Sequence, residues 1–171
     1  MKPKDMSEHL SVDELRAKYS YDPETGVFIK KALTKYQKEW VAGCKDPSGY
    51  VRICINGRIY LAHRLAWYYM TGFPPSNLID HINGNKQDNR FVNLREADYS
   101  QNMMNSRLAS NNRSGCKGVS WLSRKKAWRA EGKIDGKRIF LGQFKSLSDA
   151  ISAYQKFAKE NHAEFYLDTT T

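Results

Sequence analysis

A carboxylate and an imidazole stand side by side at Asp80-His81, and side-chain amides follow at Asn93 and Asn102. These residue types suit hydrolysis of a phosphodiester bond, which needs a nucleophilic water and stabilisation of the departing oxygen. An imidazole with an ordinary pKa of about 6.5 accepts a proton near neutrality, so His81 is the candidate general base. A hard divalent cation prefers oxygen donors and keeps several of its waters. Asp80 offers a carboxylate oxygen and Asn102 an amide oxygen, which makes them the candidate metal ligands. A cation held there would act as Lewis acid on the scissile phosphate and the leaving 3′-oxygen. An amide oxygen in the set disfavours zinc. Arg90 and Arg95 carry guanidinium groups that can bind phosphate, while Asp88 and Asn89 read as stabilisers of the intervening loop.

Positioning these groups requires a short, ordered set of elements. Ile79-Asp80-His81-Ile82 reads as a strand, Asn83-Gly84 as a turn, and Phe91-Val92-Asn93-Leu94 as the returning strand. Asp98-Tyr99-Ser100-Gln101 has the form of a capping box that starts a helix carrying Asn102, with Asn105 on a neighbouring face. Asp80-His81, Gly84, Asn93 and Asn102 in this order resemble the HNH nucleases, in the variant where asparagine replaces the last histidine. The resemblance implies a ββα-metal fold and an Asn93 side chain that bonds backbone across the loop and holds His81 in orientation. It also implies nicking or cutting of duplex DNA with Mg2+ or Mn2+, as in phage and intron homing-type enzymes. Tyr21-Asp22-Pro23-Glu24-Thr25-Gly26 and His63-Arg64-Leu65-Ala66-Trp67 belong to the same resemblance, which covers about residues 20–105.

Upstream, residues 1–10 look loose, and Ser11-Val12-Asp13-Glu14 is a capping box for a short helix reaching about Lys18. Tyr21 to Gly26 is turn chemistry, Val27-Phe28-Ile29 a strand, and Lys30 to Pro47 a loop with short extended pieces. Asn56-Gly57 between Tyr50–Ile55 and Arg58–Leu61 is a strong hairpin signal. Ala62 to Met70 reads as a helix ended by Gly72 and Pro74-Pro75. Trp67, Tyr68 and Met70 are assigned to its core face. His63 and Arg64 stay open between a helix-start contact and chemistry.

Residues 106–113 are small, polar and basic and read as a linker, with Arg107 and Arg113 able to follow a DNA backbone. Three strands are expected next, over Lys117–Trp121, Ala127–Ile134 and Lys137–Phe144, then an amphipathic helix over Ser146–Glu160. Alternation puts Trp128, Ala130, Gly132 and Ile134 on one face of the middle strand and Arg129, Glu131 and Lys133 on the other. Ala130 and Gly132 are small enough for close approach of the helix. Gly118-Val119, Trp128-Arg129-Ala130, Leu141-Gly142-Gln143-Phe144 and Ala150-x-x-Ala153-Tyr154 resemble the AP-two/ethylene-response-factor domain over about residues 114–166. By that resemblance the sheet enters the major groove of DNA, with Arg129, Lys133, Arg138 and Phe140 on the exposed face; arginine there favours guanine.

The expected architecture is therefore α+β. A mixed β/α platform with the HNH motif occupies residues 1–105, and a three-stranded antiparallel sheet packed on one helix occupies 114–171. The chain has a net charge of +10. Residues 1–105 hold 15 Lys+Arg against 12 Asp+Glu, and residues 106–171 hold 13 against 6, so the excess sits in the C-terminal third and points to a polyanion partner. Three cysteines with no Cys-x-x-Cys pair argue against a zinc knuckle and fit a reducing compartment. No apolar run approaches the roughly 18 to 20 residues of a membrane span, and the N-terminus has no apolar signal region, so a cytoplasmic protein with no membrane partner is expected. The leading expectation is a metal-dependent endonuclease acting on double-stranded DNA at a site chosen by the C-terminal domain, as a monomer or homodimer. The alternative is a sequence-specific DNA-binding regulator with an inactive nuclease scaffold. A structural nucleic-acid protein is disfavoured, because the sheet lacks the exposed aromatic pair that stacks unpaired bases.

Overall fold

The computed structural model of the chain describes residues 6–98, 101–102, 108, 111–134 and 136–162. It is mixed α and β, with small antiparallel sheets and three helices among the described residues. The chain divides into two compact units, Met1–Asp98 and Tyr99–Thr171. None of the helices among the described residues is long and apolar enough to cross a membrane.

In the first unit, α1 spans Val12–Lys18, and the Ser11 hydroxyl accepts from the Glu14 amide at 3.1 Å, as the capping box requires. The expected turn beginning at Tyr21 starts two residues later, at Pro23. Tyr19–Asp22 is a strand, β1, because Tyr19 and Tyr21 alternate into the core while Asp22 accepts from the amide of Glu24 and the hydroxyl of Thr25 to close the turn. β2 (Val27–Lys30) pairs with β1, and β3 (Trp40–Ala42) pairs with β2, giving a sheet in the order β1-β2-β3. β4 (Cys44–Lys45), β5 (Val51–Ile55) and β6 (Arg58–Leu61) form the second sheet. Its hairpin turns at Asn56 and Gly57, both with positive φ (50° and 75°), which is why the Asn-Gly pair is there.

α2 (Ala62–Thr71) buries Ala62, His63, Leu65, Ala66 and Tyr68 and ends at Gly72 in the left-handed region. Leu10, Leu15, Phe28, Ile53, Ile55, Leu65 and Ile79 meet in one hydrophobic core. β7 (Leu78–His81) and β8 (Leu94–Ala97) form a two-stranded antiparallel sheet with His81 opposite Leu94 and Asp80 opposite Arg95. The returning strand expected over Phe91–Leu94 is a correction: Phe91–Asn93 is a 3-10 turn and the strand begins at Leu94. β propensity loses there because the Asn93 amide closes a local 3-10 turn on the Arg90 carbonyl while the Phe91 amide donates to Pro23, a contact that only the tertiary fold supplies. The capping box at Asp98 runs onto residues 99 and 100, which lie outside the described residues.

In the second unit the sheet order is β11-β10-β9, from β9 (Val119–Leu122), β10 (Ala127–Ile134) and β11 (Lys137–Phe144). β9 starts at Val119 rather than Lys117, since Gly118 takes a positive φ of 69° and its carbonyl accepts from the Glu131 amide. The register shifts between Ala130 and Glu131, a bulge that leaves Leu141 without a cross-strand partner. α3 (Leu147–His162) buries Ala150, Phe157 and Ala158. A Cβ on Gly132 would collide with the Phe157 ring, so the glycine is needed for close packing of helix on sheet.

Candidate active site

The site grows from the end of β7. Asp80 and His81 are both buried, at 6% and 4% exposure, because the strand they end lies between α2 and β8. Asp80 pairs across the sheet with Arg95, whose Nε and Nη2 lie 3.1 and 3.0 Å from Oδ2. A buried carboxylate is tolerated only with such a partner. The guanidinium proposed for phosphate is therefore already engaged with the carboxylate proposed for metal.

His81 Nε2 lies 3.1 Å from Asn89 Oδ1. Asn89 donates its own Nδ2 to the Gln87 carbonyl at 3.3 Å, which turns its oxygen toward the ring. Nε2 thus carries the hydrogen, and Nδ1 is the nitrogen with the lone pair. Burial pushes the His81 pKa below the ordinary value, opposed by the Asn89 hydrogen bond and by Asp80 and Asp88, so the ring is neutral at neutral pH. Asn89 reads in the sequence only as a loop stabiliser, and nothing in its spacing marks it as the partner of His81.

Two further rings pack on this imidazole. The His63 ring centroid is 4.9 Å from that of His81 in an edge-to-face arrangement, and Tyr50 lies 5.2 Å from His63 and 6.1 Å from His81. Burial above all, then His81 and Arg64, pushes the His63 pKa down to about 3. Its Nδ1 is buried without a hydrogen-bond partner. The undecided reading of His63 is answered in part: it is a neutral ring packed on the candidate base. Lys86 stands over the Tyr50 ring, with Nζ 4.5 Å from its centroid.

The loop after His81 is braced from within. Asn93 Oδ1 accepts from the Asn83 amide at 3.0 Å, and its Nδ2 donates to Asn83 Oδ1 at 3.0 Å and to the Asp88 carbonyl at 2.8 Å. Asp88 takes a forked pair from Arg90 Nε and Nη2 at 2.7 and 2.6 Å and accepts from Asn83 Nδ2, and the Arg90 fork holds its carboxyl at about 2. The first sheet buttresses the same loop. The Tyr21 hydroxyl donates to the Asn89 carbonyl at 2.6 Å, and a Cβ on Gly26 would lie 2.5 Å from the Arg90 nitrogen. The Tyr21–Gly26 motif is thus a support for the loop that holds His81.

The remaining expected residues lie in the second unit. Asn102 is half-buried in the helical pair Gln101–Asn102. Arg107 lies outside the described residues, and Arg113 is exposed. Arg129 pairs with Glu131 at 2.9 Å, while Lys133, Arg138 and Phe140 are exposed. Lys133 sits opposite Arg138 and Glu131 opposite Phe140, so these side chains share the face away from α3.

A hard cation requires oxygen donors. The described residues contain no group of three or more His, Cys, Asp or Glu side chains able to hold a metal. The Asp80 carboxylate would offer a cation there the oxygen donor that hard divalent ions prefer. In donor chemistry, then, the residues fit the group.

Residues 60–104 match the family model described as HNH endonuclease. The SPbeta prophage-derived protein YosQ of Bacillus subtilis (strain 168), whose name carries an assignment as an HNH homing endonuclease, is 38% identical over 77 residues, 42% of each chain. Protein 3.8 of Escherichia phage T7 is 31% identical over 104 residues, covering 60% of this chain and 85% of that protein. No solved structure matches. The buried Asp80-His81 pair and the braced loop both fall inside the matched stretch, and the chain belongs to the family that includes Protein 3.8 and carries an HNH endonuclease domain.

Proposed function

We propose that the protein is a metal-dependent endonuclease that hydrolyses phosphodiester bonds of double-stranded DNA. The observation that carries this reading is the hydrogen bond from His81 Nε2 to Asn89, within the stretch that matches the HNH family. It presents Nδ1 as the base, and His81 takes a proton there from the attacking water. Asp80 and Asn102 are the oxygen donors to one divalent cation, Mg2+ or Mn2+. When bound, that ion supplies Lewis-acid stabilisation of the phosphate and the leaving oxygen. Asn93 keeps the loop, and through it His81, in orientation. His63 and Tyr50 pack on the imidazole and help to keep it buried. Arg90, Arg95, Arg107 and Arg113 are the phosphate-binding candidates, the first two sharing their charge with Asp88 and Asp80.

Site choice belongs to residues 114–171, joined by a linker at 106–113 to the nuclease residues 1–105. Arg129, Lys133, Arg138 and Phe140 form an AP-two-like reading face, and support for it comes from their common side of β10 and β11. A small nuclease with a separate reader suits a homing-type phage enzyme working as monomer or homodimer in the cytoplasm of the host. The test is cleavage of supercoiled plasmid and of phage-host DNA with Mg2+ or Mn2+. Loss of nicking in His81→Ala by about 100-fold or more, with DNA affinity kept, is the expected result. Chelation should abolish nicking in the unaltered chain. Undiminished nicking in His81→Ala overturns the base assignment. Tight, specific binding with no cleavage under any metal favours the regulator reading.

A further inference from the structure

We infer that the segment from Lys30 to Lys45, outside the HNH-matched stretch, is a second DNA contact that grips the duplex backbone beside the cut. This rests on the endonuclease reading and adds to it a surface with no role in the chemistry.

Charge localises it. The segment holds Lys30, Lys31, Lys35, Lys38 and Lys45 against Glu39, a net of +4. The whole first unit, residues 1–98, holds 15 basic against 12 acidic residues, a net of +3. All the positive excess of the unit therefore sits in this one segment. Exposure is the second observation. Tyr36 is 86% exposed, Val41 67%, Trp40 60% and Leu33 56%. A purely solvated basic face would not carry four large apolar side chains among its lysines.

The third observation is arrangement. Lys30 Nζ stands 5.6 Å from the Trp40 ring centroid and Lys35 Nζ 5.1 Å from that of Tyr36. Cation–π contacts of this kind hold ammonium groups at the surface in fixed places. β3 is an edge strand of its sheet, so Trp40 and Val41 lie on a border left exposed among the described residues. Through Gly43 the strand leads into β4, which pairs with β5; Tyr50, next to β5, packs on His81. The surface is thus connected through β4, β5 and Tyr50 to the candidate base.

Three occupants fit an exposed edge. Edge-to-edge pairing with a second copy would oppose two segments of +4 and is repelled. An anionic membrane matches the charge but has no connection with the HNH domain. A DNA backbone matches both: lysines act as point charges on phosphates without reading sequence, and the rings pack against sugars.

The experiment measures affinity for a random-sequence duplex against salt, using the full chain and the triple variant Lys30→Gln, Lys35→Gln, Lys38→Gln. Lys31 is kept because its Nζ bonds the Arg16 carbonyl at 2.7 Å. Each phosphate contact contributes about 0.9 to the slope of log affinity on log salt, so the variant should lower that slope by about 2 to 3. Charge reversal at Lys35 and Lys38 to Glu should lower it further, and an unchanged circular dichroism spectrum would show that both variants fold. An unchanged slope overturns the inference and leaves the endonuclease reading intact. Failure of the unaltered chain to bind any duplex removes both. Loss of binding to phosphatidylglycerol vesicles, with the DNA slope unchanged, assigns the surface to lipid and also overturns the inference.

Discussion

Asn89 joins His81 to the first sheet: its side-chain oxygen lies 3.1 Å from His81 Nε2, and its backbone carbonyl accepts the Tyr21 hydroxyl at 2.6 Å. One residue therefore sets both the tautomer of the candidate base and the place of the loop. Asn89→Ala should lower the single-turnover cleavage rate by about 10- to 100-fold, the usual effect of losing a group that orients a catalytic imidazole. Affinity for DNA should not change. Asn89→Asp keeps the acceptor and should retain more activity than the alanine variant; the reverse order would refute the orienting role.

Gly26 has a φ of +73°, and a Cβ there would meet the backbone of Asn89 and Arg90. Gly26→Val should destabilise the first unit by about 1–3 kcal/mol through backbone strain, seen as a lower urea midpoint. Cleavage measured well below that midpoint should fall as well, because the displaced backbone is the one that carries Asn89.

His63 ties stability to acid. Its folded pKa is about 3 against an ordinary 6.5, so the unfolded chain binds the extra proton between those values. Stability is then complete above about pH 6.5 and falls as the pH is lowered toward 3, by roughly 1.4 kcal/mol per unit at most. His63→Phe should flatten that acid limb in urea titrations between about pH 4 and pH 7, from within the window to just above it. An equally steep limb in the variant would assign it to other groups.

Arg95→Met removes the partner of Asp80, which is only 8% exposed in its side chain. Breaking a buried pair from one side costs about 3–5 kcal/mol, and the partial exposure of Arg95 moves the expectation to the lower end. Denaturant unfolding measures it. The double variant Asp80→Asn with Arg95→Met should recover part of the loss, since no unpaired charge remains.

In the second unit, Gly132→Val would force the Phe157 ring away from the sheet. Overpacking of this kind costs about 1–3 kcal/mol. Site preference in a binding selection should weaken, while His81-dependent nicking of plasmid persists.

Much of this protein is local and therefore written in its sequence. Ser11 and Glu14 cap a helix, Asn56-Gly57 turns a hairpin, Gly72 ends α2, and alternation along β10 sorts its two faces, because each depends on neighbours within a few residues. Asp80, His81 and Asn93 are legible as a chemical set for the same reason of type and spacing. Tertiary contacts decided the rest. Phe91–Asn93 winds as a 3-10 turn although its residues favour a strand, since the distant Pro23 carbonyl accepts the Phe91 amide and leaves Asn93 to close locally on Arg90. The pairing of Asn89 with His81, of Arg95 with Asp80, and the packing of His63 and Tyr50 on the imidazole join residues whose separation carries no periodic signal. Spacing along a chain reports what one element can present; which nitrogen of His81 bears the proton depends on groups that only burial in a common core brings together.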